Sequence, residues 1–201
     1  VVGTALYTSD FVPSRIPLTA VSGTSLLTCA SNRFQDKSSN NLAITPNGNV
    51  AVKSASPFSP EQSYEKTPDG YCVYFNGASY IQTPAATSLN GLQLGTSNFT
   101  IECWVKAKPQ TGYRRLLDSC CYNNPNYAWE LICSPDANSP DIYFGVQTGI
   151  GISNGSWQGF TLPNVLNNAW NHVAIVRIGN VVKGYVNGNY VSEVTLSVNN
   201  R

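Results

Sequence analysis

Between Trp170 and Ile178 the chain is apolar on two opposite sides. Trp170, His172, Ala174, Val176 and Ile178 fall on one face of an extended segment, and Val173 and Ile175 fall on the other. Successive side chains of a strand point to opposite faces, so this segment must be covered from both sides. A second segment, Phe99 to Lys106, alternates Phe99, Ile101, Cys103 and Val105 with Thr100, Glu102 and Lys106. Trp104 interrupts its polar face, which predicts a cover on that face too. Tyr113–Leu117, Ala128–Cys133 and Ile142–Val146 read as further strands. Gly179-Asn180 is expected to turn the chain into Val181–Val186, and Asn187-Gly188 into Tyr190–Val198. Asn-Gly tolerates the positive φ that tight hairpins demand. On that ground Asn47-Gly48 predicts a hairpin between Leu42–Thr45 and Val50–Val52, and Asn76-Gly77 one between Tyr71–Phe75 and Ala78–Thr83. No segment carries a helical period. Many short strands with frequent Asn-Gly turns predict an all-β sandwich.

At 201 residues the chain suits one large β domain or one domain with an appendage, and its 42% hydrophobic content suffices for a core. Only 11% of residues are charged, well under the ~25% of ordinary soluble domains. The 22 Asn and 21 Ser must cover the surface instead. Such a surface suits hydrogen bonding to neutral sugars, and equally any turn-rich β protein. Net charge is +1, and Arg114-Arg115 is the one adjacent basic pair. Nucleic-acid binding needs clustered Lys and Arg, so no nucleic-acid partner is expected. No apolar run approaches the ~20 residues that span a bilayer, so no membrane insertion is expected. The chain opens with neither Met nor a signal-peptide pattern, and reads as a processed form or a fragment.

Residues 1–20 read as an extended tail, because Pro13 and Pro17 forbid a stable helix there. Residues 21–60 read as a linker with short strands, and 61–201 as the sandwich. Six cysteines stand at 29, 72, 103, 120, 121 and 133. Cys120 and Cys121 are neighbours, and Cys103 replaces an apolar residue on a strand. Reduced, hydrophobe-like thiols are therefore favoured over a disulfide framework. No C-x-x-C pair exists to hold zinc. His172, the single histidine, is mid-strand and reads as a packed, hydrogen-bonded structural residue. Glu102 and Glu130 each stand alone in their strands, without the carboxylate cluster that glycoside hydrolysis requires. No enzyme is expected.

The Phe99-Thr-Ile-Glu-Cys-Trp-Val105 strand, the Trp170-Asn-His-Val-Ala174 block and Tyr185-Val-Asn-Gly188 together resemble the laminin-G-like, or concanavalin A-like lectin, domain. Tyr74 to Ile81 is similar to that family's opening hairpin. The resemblance covers roughly residues 70–198. It implies an antiparallel jelly-roll β-sandwich, and here an extended N-terminal segment is added to it. Against the family pattern the sandwich stops short of its last strands, at Arg201. The opening Gly3 to Pro13 is similar to the segment that normally follows a closed domain of this kind. Leu18 to Cys29 resembles linkers between such domains in tandem in large virion proteins of marine bacteriophages, cyanophages above all. The implied setting is a virion, in a tail fibre or capsid surface appendage, with neighbouring virion subunits or tandem modules as partners. A bacterial surface adhesin is the alternative setting.

The expected binding surface is the loop over 119–129 with the loop over 152–158. Tyr122, Tyr127 and Trp157 offer ring faces to a sugar, and Asn123, Asn124 and Asn154 offer amides to its hydroxyls. Such residues also close sandwich edges and fill turns. The expected ligand is a host surface polysaccharide; the alternative is an architectural module that binds no sugar. The resemblance also implies calcium on rim loops, for which Asp118, Asp136 and Asp141 are the nearby carboxylates. Each is equally a turn residue.

Overall fold

Period-two patterning becomes antiparallel sheet throughout. The computed structural model describes residues 1–29, 31–58, 70–85, 92, 94–110, 112, 114–119, 129–134, 139–148 and 156–197, and among them there is no helix. Contacts divide the chain into two units. One comprises Val1–Val2 with Ser14–Gln93, the other Gly3–Pro13 with Leu94–Arg201.

The first unit holds four short strands, β1 (Thr45–Asn47), β2 (Ala51–Lys53), β3 (Cys72–Tyr74) and β4 (Tyr80–Gln82). The two expected hairpins do not form. Instead β1 pairs with β4 and β2 pairs with β3, so one arm runs through β1 and β2 and the opposing arm through β3 and β4. Gly48 and Gly77 do take positive φ, at 70° and 88°. A side chain on Gly48 would sit 3.3 Å from Ser79 Cβ, so the two bends face each other. Each Asn-Gly pair bends an arm of the ribbon rather than reversing the chain.

Polar groups organise the rest of this unit. Asp36 is 2% exposed, with Oδ1 accepting the N–H groups of Leu27 (2.9 Å) and Ser38 (2.8 Å). Its Oδ2 accepts the Leu42 N–H (2.9 Å) and the Ser38 hydroxyl (2.8 Å). Burial alone pushes this carboxyl up, but the four hydrogen bonds to its charged form outweigh burial and hold it below the usual aspartate range.

The second unit is a two-sheet sandwich. One sheet has the order β12 (Asn189–Thr195), β11 (Val181–Val186), β10 (Asn171–Ile178), β5 (Phe99–Val105). The other has the order β6 (Arg115–Asp118), β7 (Trp129–Cys133), β8 (Ile142–Thr148), β9 (Ser156–Leu162). Their inner faces share one core that includes Phe99, Leu131, Ile142, Phe144, Phe160, Leu162, Val173, Ile175 and Val182. Each such side chain contributes about 1.5–3 kcal/mol when fully buried. Gly184 of β11 faces that core, where a Cβ would run into Phe160 and meet Leu162 Cδ2 at 2.7 Å. Cys133 is buried in the same core and Cys103 packs against it. Cys29 and Cys133 are free thiols, and burial raises the Cys29 thiol to about 11. Cys120 and Cys121 lie outside the described residues.

The Asn187-Gly188 turn joins β11 to β12 with φ of 51° and 82°, both positive as a two-residue hairpin needs. Asn187 Oδ1 accepts the His172 N–H (2.8 Å), and its Nδ2 donates to Asn171 Oδ1 (2.9 Å). Asn171 Nδ2 in turn donates to the Val165 carbonyl (2.9 Å). Two sequence-distant blocks, Trp-Asn-His and Val-Asn-Gly, are thereby one hydrogen-bonded corner.

The second apolar face of β10 is covered by the extended segment Gly3–Pro13. The Gly3 N–H donates to the Asn98 carbonyl (2.7 Å), and the Leu6 N–H to Thr100 Oγ1 (2.9 Å). Tyr7 donates its hydroxyl to Glu102 Oε2 (2.8 Å), and the Phe11 N–H donates to the Gly188 carbonyl (2.9 Å). The Tyr190 N–H donates to Asp10 Oδ1 (2.8 Å). Ala174, Val176 and Tyr185 form a small second core with Ala5, Tyr7 and Phe11. The Tyr7 and Phe11 rings stack with centroids 3.6 Å apart.

Candidate functional site

Asp118, Glu130, Gly145 and Gly159 are register partners across β6, β7, β8 and β9, so they form one rung of the second sheet. Leu131, Phe144 and Phe160, next to the last three, point into the core. Strand alternation therefore puts Glu130, Gly145 and Gly159 on the outer face, with Tyr143 and Trp157 two positions along from the glycines. A glycine inside a strand marks a close approach by something else. At Gly145 the approach is aromatic, and at Gly159 it is the Phe144 carbonyl and then the Tyr143 ring. A Cβ on Gly145 would sit 2.7 Å from Tyr143 Cε1 and 2.9 Å from Trp157 Cε3, and one on Gly159 would run into the Phe144 carbonyl and sit 2.7 Å from Tyr143 Cζ. Tyr143 thus lies over both glycines and Trp157 over one. Trp157 remains 39% exposed.

The other end of the rung is ionic. Arg115 Nε lies 3.0 Å from Asp118 Oδ2 and 3.5 Å from Glu130 Oε2. Arg115 and Asp118 are three residues apart and would point to opposite faces of a regular strand. The register shift between Arg115 and Leu117 puts them on the same face, as a bulge does. Burial raises the Glu130 carboxyl above its usual range, the Arg115 guanidinium opposes this, and the Asp118 charge adds to it. Burial, then the Glu130 charge, pushes the Tyr143 phenol up, so it stays a hydrogen-bond donor at neutral pH. The cluster carries two carboxylates against one guanidinium. Its Arg115–Asp118 pair is half-exposed and worth about 0–1 kcal/mol at most.

Trp157 is the one expected glycan-binding residue among the described residues, and it stands on β9 rather than in a loop. The expected loop over 152–158 gives way to strand from Ser156 onward, because Trp157 and Gly159 alternate with core-facing residues. Tyr122, Asn123, Asn124, Tyr127 and Asn154 lie outside the described residues. Of the expected metal carboxylates, Asp118 is turned onto Arg115, and Asp141 Oδ1 accepts the Asn164 N–H (2.8 Å). Asp136 lies outside the described residues. Among the described residues no three His, Cys, Asp or Glu side chains gather as a metal site. Glu130, read from sequence as solitary, has Asp118 beside it. Tyr143, Arg115 and the two glycines were not singled out. Gly145 and Gly159, each inside a strand, were the one signal available.

His172 is fully buried, with Nε2 3.1 Å from Glu102 Oε2. Trp104 and Phe11 meet its ring edge-on at centroid distances of 5.2 and 5.7 Å. Glu102 Oε2 also accepts the Tyr7 hydroxyl, so histidine and tyrosine share one carboxylate beneath the N-terminal segment. Burial, then the bond to Glu102 and its charge, pushes the Tyr7 phenol far above its ordinary range. A packed histidine of this kind has no open side for a substrate.

No curated protein matches the sequence. Among solved structures, the chain is similar to domain 4 of AbnA, a GH43 extracellular arabinanase from Geobacillus stearothermophilus, in complex with arabinotriose. There the identity is 18%, over 77% of this chain and 71% of that one, with a TM-score of 0.40. It is also similar to an S-layer domain-containing protein (residues 221–444) from Clostridium thermocellum, at 24% identity over 94% of this chain and 73% of that one, with a TM-score of 0.37. The sequence model of the Concanavalin A-like lectin/glucanases superfamily matches residues 75–201, which is more than half of the chain and includes the whole two-sheet sandwich. By fold and by sequence, this chain belongs to the Concanavalin A-like lectin/glucanases superfamily.

Proposed function

We propose that the chain is a non-catalytic adhesive module of a bacteriophage virion, part of a tail fibre or capsid surface appendage, and that it holds a neutral host-surface glycan on the outer face of the β6–β9 sheet. The observation that carries the glycan reading is the rung from Asp118 to Gly159. It sets an exposed indole and a phenol over two glycines, beside carboxylates that accept hydrogen bonds. Aromatic faces cover the C–H face of a sugar ring, while carboxylates and Arg115 bond its hydroxyls. The excess of carboxylate over guanidinium disfavours acidic sugars. Tyr122, Asn123, Asn124 and Tyr127, between β6 and β7 in sequence, and Asn154, between β8 and β9, are proposed as further contacts. The virion setting rests on the resemblance of Leu18 to Cys29 to phage linkers.

Adjacency of Asp118 and Glu130 favours one rival, glycoside hydrolysis. Against it, each carboxylate gives an oxygen to Arg115, which leaves neither as an isolated acid. A glycan array with titration calorimetry tests the binding. Neutral oligosaccharides are expected to bind, and Trp157→Ala is expected to weaken them about tenfold, or about 1.4 kcal/mol. Equal binding by a folded Trp157→Ala protein would remove the glycan from this face. No binding at all would leave the architectural module. Release of reducing ends during incubation would make the chain an enzyme. Immunogold labelling separates a virion from a bacterial surface adhesin.

A further inference from the structure

The peptide that completes the sandwich is not contiguous with it. Gly3–Pro13 belongs by contact to the sandwich, yet the chain on either side of it, Val1–Val2 and Ser14–Gln93, belongs to the other unit. The segment therefore leaves one unit, docks on the other and returns. Its docking is sequence-specific in form. Tyr7 reaches Glu102, Phe11 stacks on Tyr7 and meets His172 and Tyr185 edge-on, and Asp10 receives the Tyr190 N–H. Gly188 is shaped for it, since a Cβ there would run into the Phe11 carbonyl and sit 2.8 Å from Pro13 Cδ. Beneath it Ala174, Val176 and Tyr185 are fully buried. An unfilled face would expose that apolar strip, so some segment of this kind must occupy it.

We propose that this face is an acceptor site for an exchangeable strap, and that its partner is Gly3–Pro13 of a second copy of this chain. An exchanged strap makes the same hydrogen bonds and ring contacts as a resident one. The balance between the two then depends on concentration and on the entropy of closing the connection through residues 14–93, which changes only slowly with loop length. The exit from the strap is a short exposed turn. Pro13 and Pro17 fix their own φ and flank a bend at Arg15–Ile16, where the Ser14 hydroxyl accepts the Ile16 N–H (3.2 Å) and donates to its carbonyl (2.7 Å), and these exposed bonds are what opens when the strap reaches a second copy. Reciprocal exchange closes a dimer; one-way exchange links copies in series. This assembly is independent of glycan binding, because the strap face and the rung lie on different sheets.

Two full-length variants test the proposal. Gly188→Asn keeps the strap but blocks the acceptor face, and asparagine tolerates the turn's positive φ. Tyr7→Ser with Phe11→Ser keeps the face but spoils the strap. Mixed one to one, they are expected to form a hetero-pair of about twice the 21.7 kDa chain mass by size exclusion with light scattering. Neither alone can use that route. Two folded variants that stay separate after mixing overturn the proposal. If either variant fails to fold alone, the wild type decides. Chains with natural and heavy nitrogen are refolded together from urea at high concentration and cross-linked. Mixed-isotope links between residues 3–13 and β10–β12 support exchange, and same-isotope links alone overturn it.

Discussion

Trp157 lies over Gly145, close enough that a Cβ on the glycine would stand 2.9 Å from Trp157 Cε3. The indole is thus seated against backbone, and its outer face is what solvent meets. Gly145→Val is expected to lift both Trp157 and Tyr143 while leaving the core side of β8 intact. Overpacking of this kind costs about 1–3 kcal/mol. Thermal melts should show a destabilised but folded protein, and calorimetry should show glycan affinity falling at least as far as in Trp157→Ala.

Asn187→Ala removes the side-chain oxygen that accepts the His172 N–H and the amide that donates to Asn171. It also places alanine at φ 51°. A loss of about 2–3 kcal/mol is expected from urea denaturation, since buried partners are left unsatisfied. Asn187→Asp, which keeps the acceptor and the turn preference but not the donor, should recover part of it.

Asp36 holds three backbone N–H groups and one hydroxyl in its charged form. Its carboxyl is lower in the folded state than in the unfolded chain, so its stabilisation is present above the ordinary aspartate value of ~3.9 and is lost as pH falls through the folded value. Protection of the Leu27, Ser38 and Leu42 amides against hydrogen exchange, taken relative to the intrinsic rate at each pH, should fall below about pH 4. Asp36→Ala should show the same loss of protection at neutral pH.

The Tyr7 phenol is raised by burial, then by its bond to Glu102 and that group's charge. Its contribution is complete below the ordinary tyrosine value of ~10 and declines as pH rises through the higher folded value. Ultraviolet titration should leave Tyr7 un-ionised at a pH where tyrosine in an unfolded chain has ionised. Tyr7→Phe keeps the ring stacked on Phe11 but loses the hydrogen bond. It should cost about 1 kcal/mol and flatten this alkaline dependence.

By itself the sequence determined the fold class and the strands that matter most. Trp170 to Ile178 and Phe99 to Lys106 have a period of two that only a twice-covered and a once-interrupted strand explain, because alternation is a local consequence of backbone geometry. Even the need for a cover on the face of β5 that carries Thr100, Glu102 and Trp104 was legible. What filled that place was not, since Gly3–Pro13 meets β5 and β10 by contacts that no local pattern encodes. Asn47-Gly48 and Asn76-Gly77 announced their positive φ, but whether a bend reverses a chain depends on which strand lies opposite, and there each arm found the other. The candidate site was the least legible part. Asp118, Glu130, Gly145 and Gly159 come from four strands, and a register shift in β6 turned Arg115 and Asp118 to one face. Register is a property of paired strands, and so only the tertiary structure could set two carboxylates beside two glycines under aromatic rings.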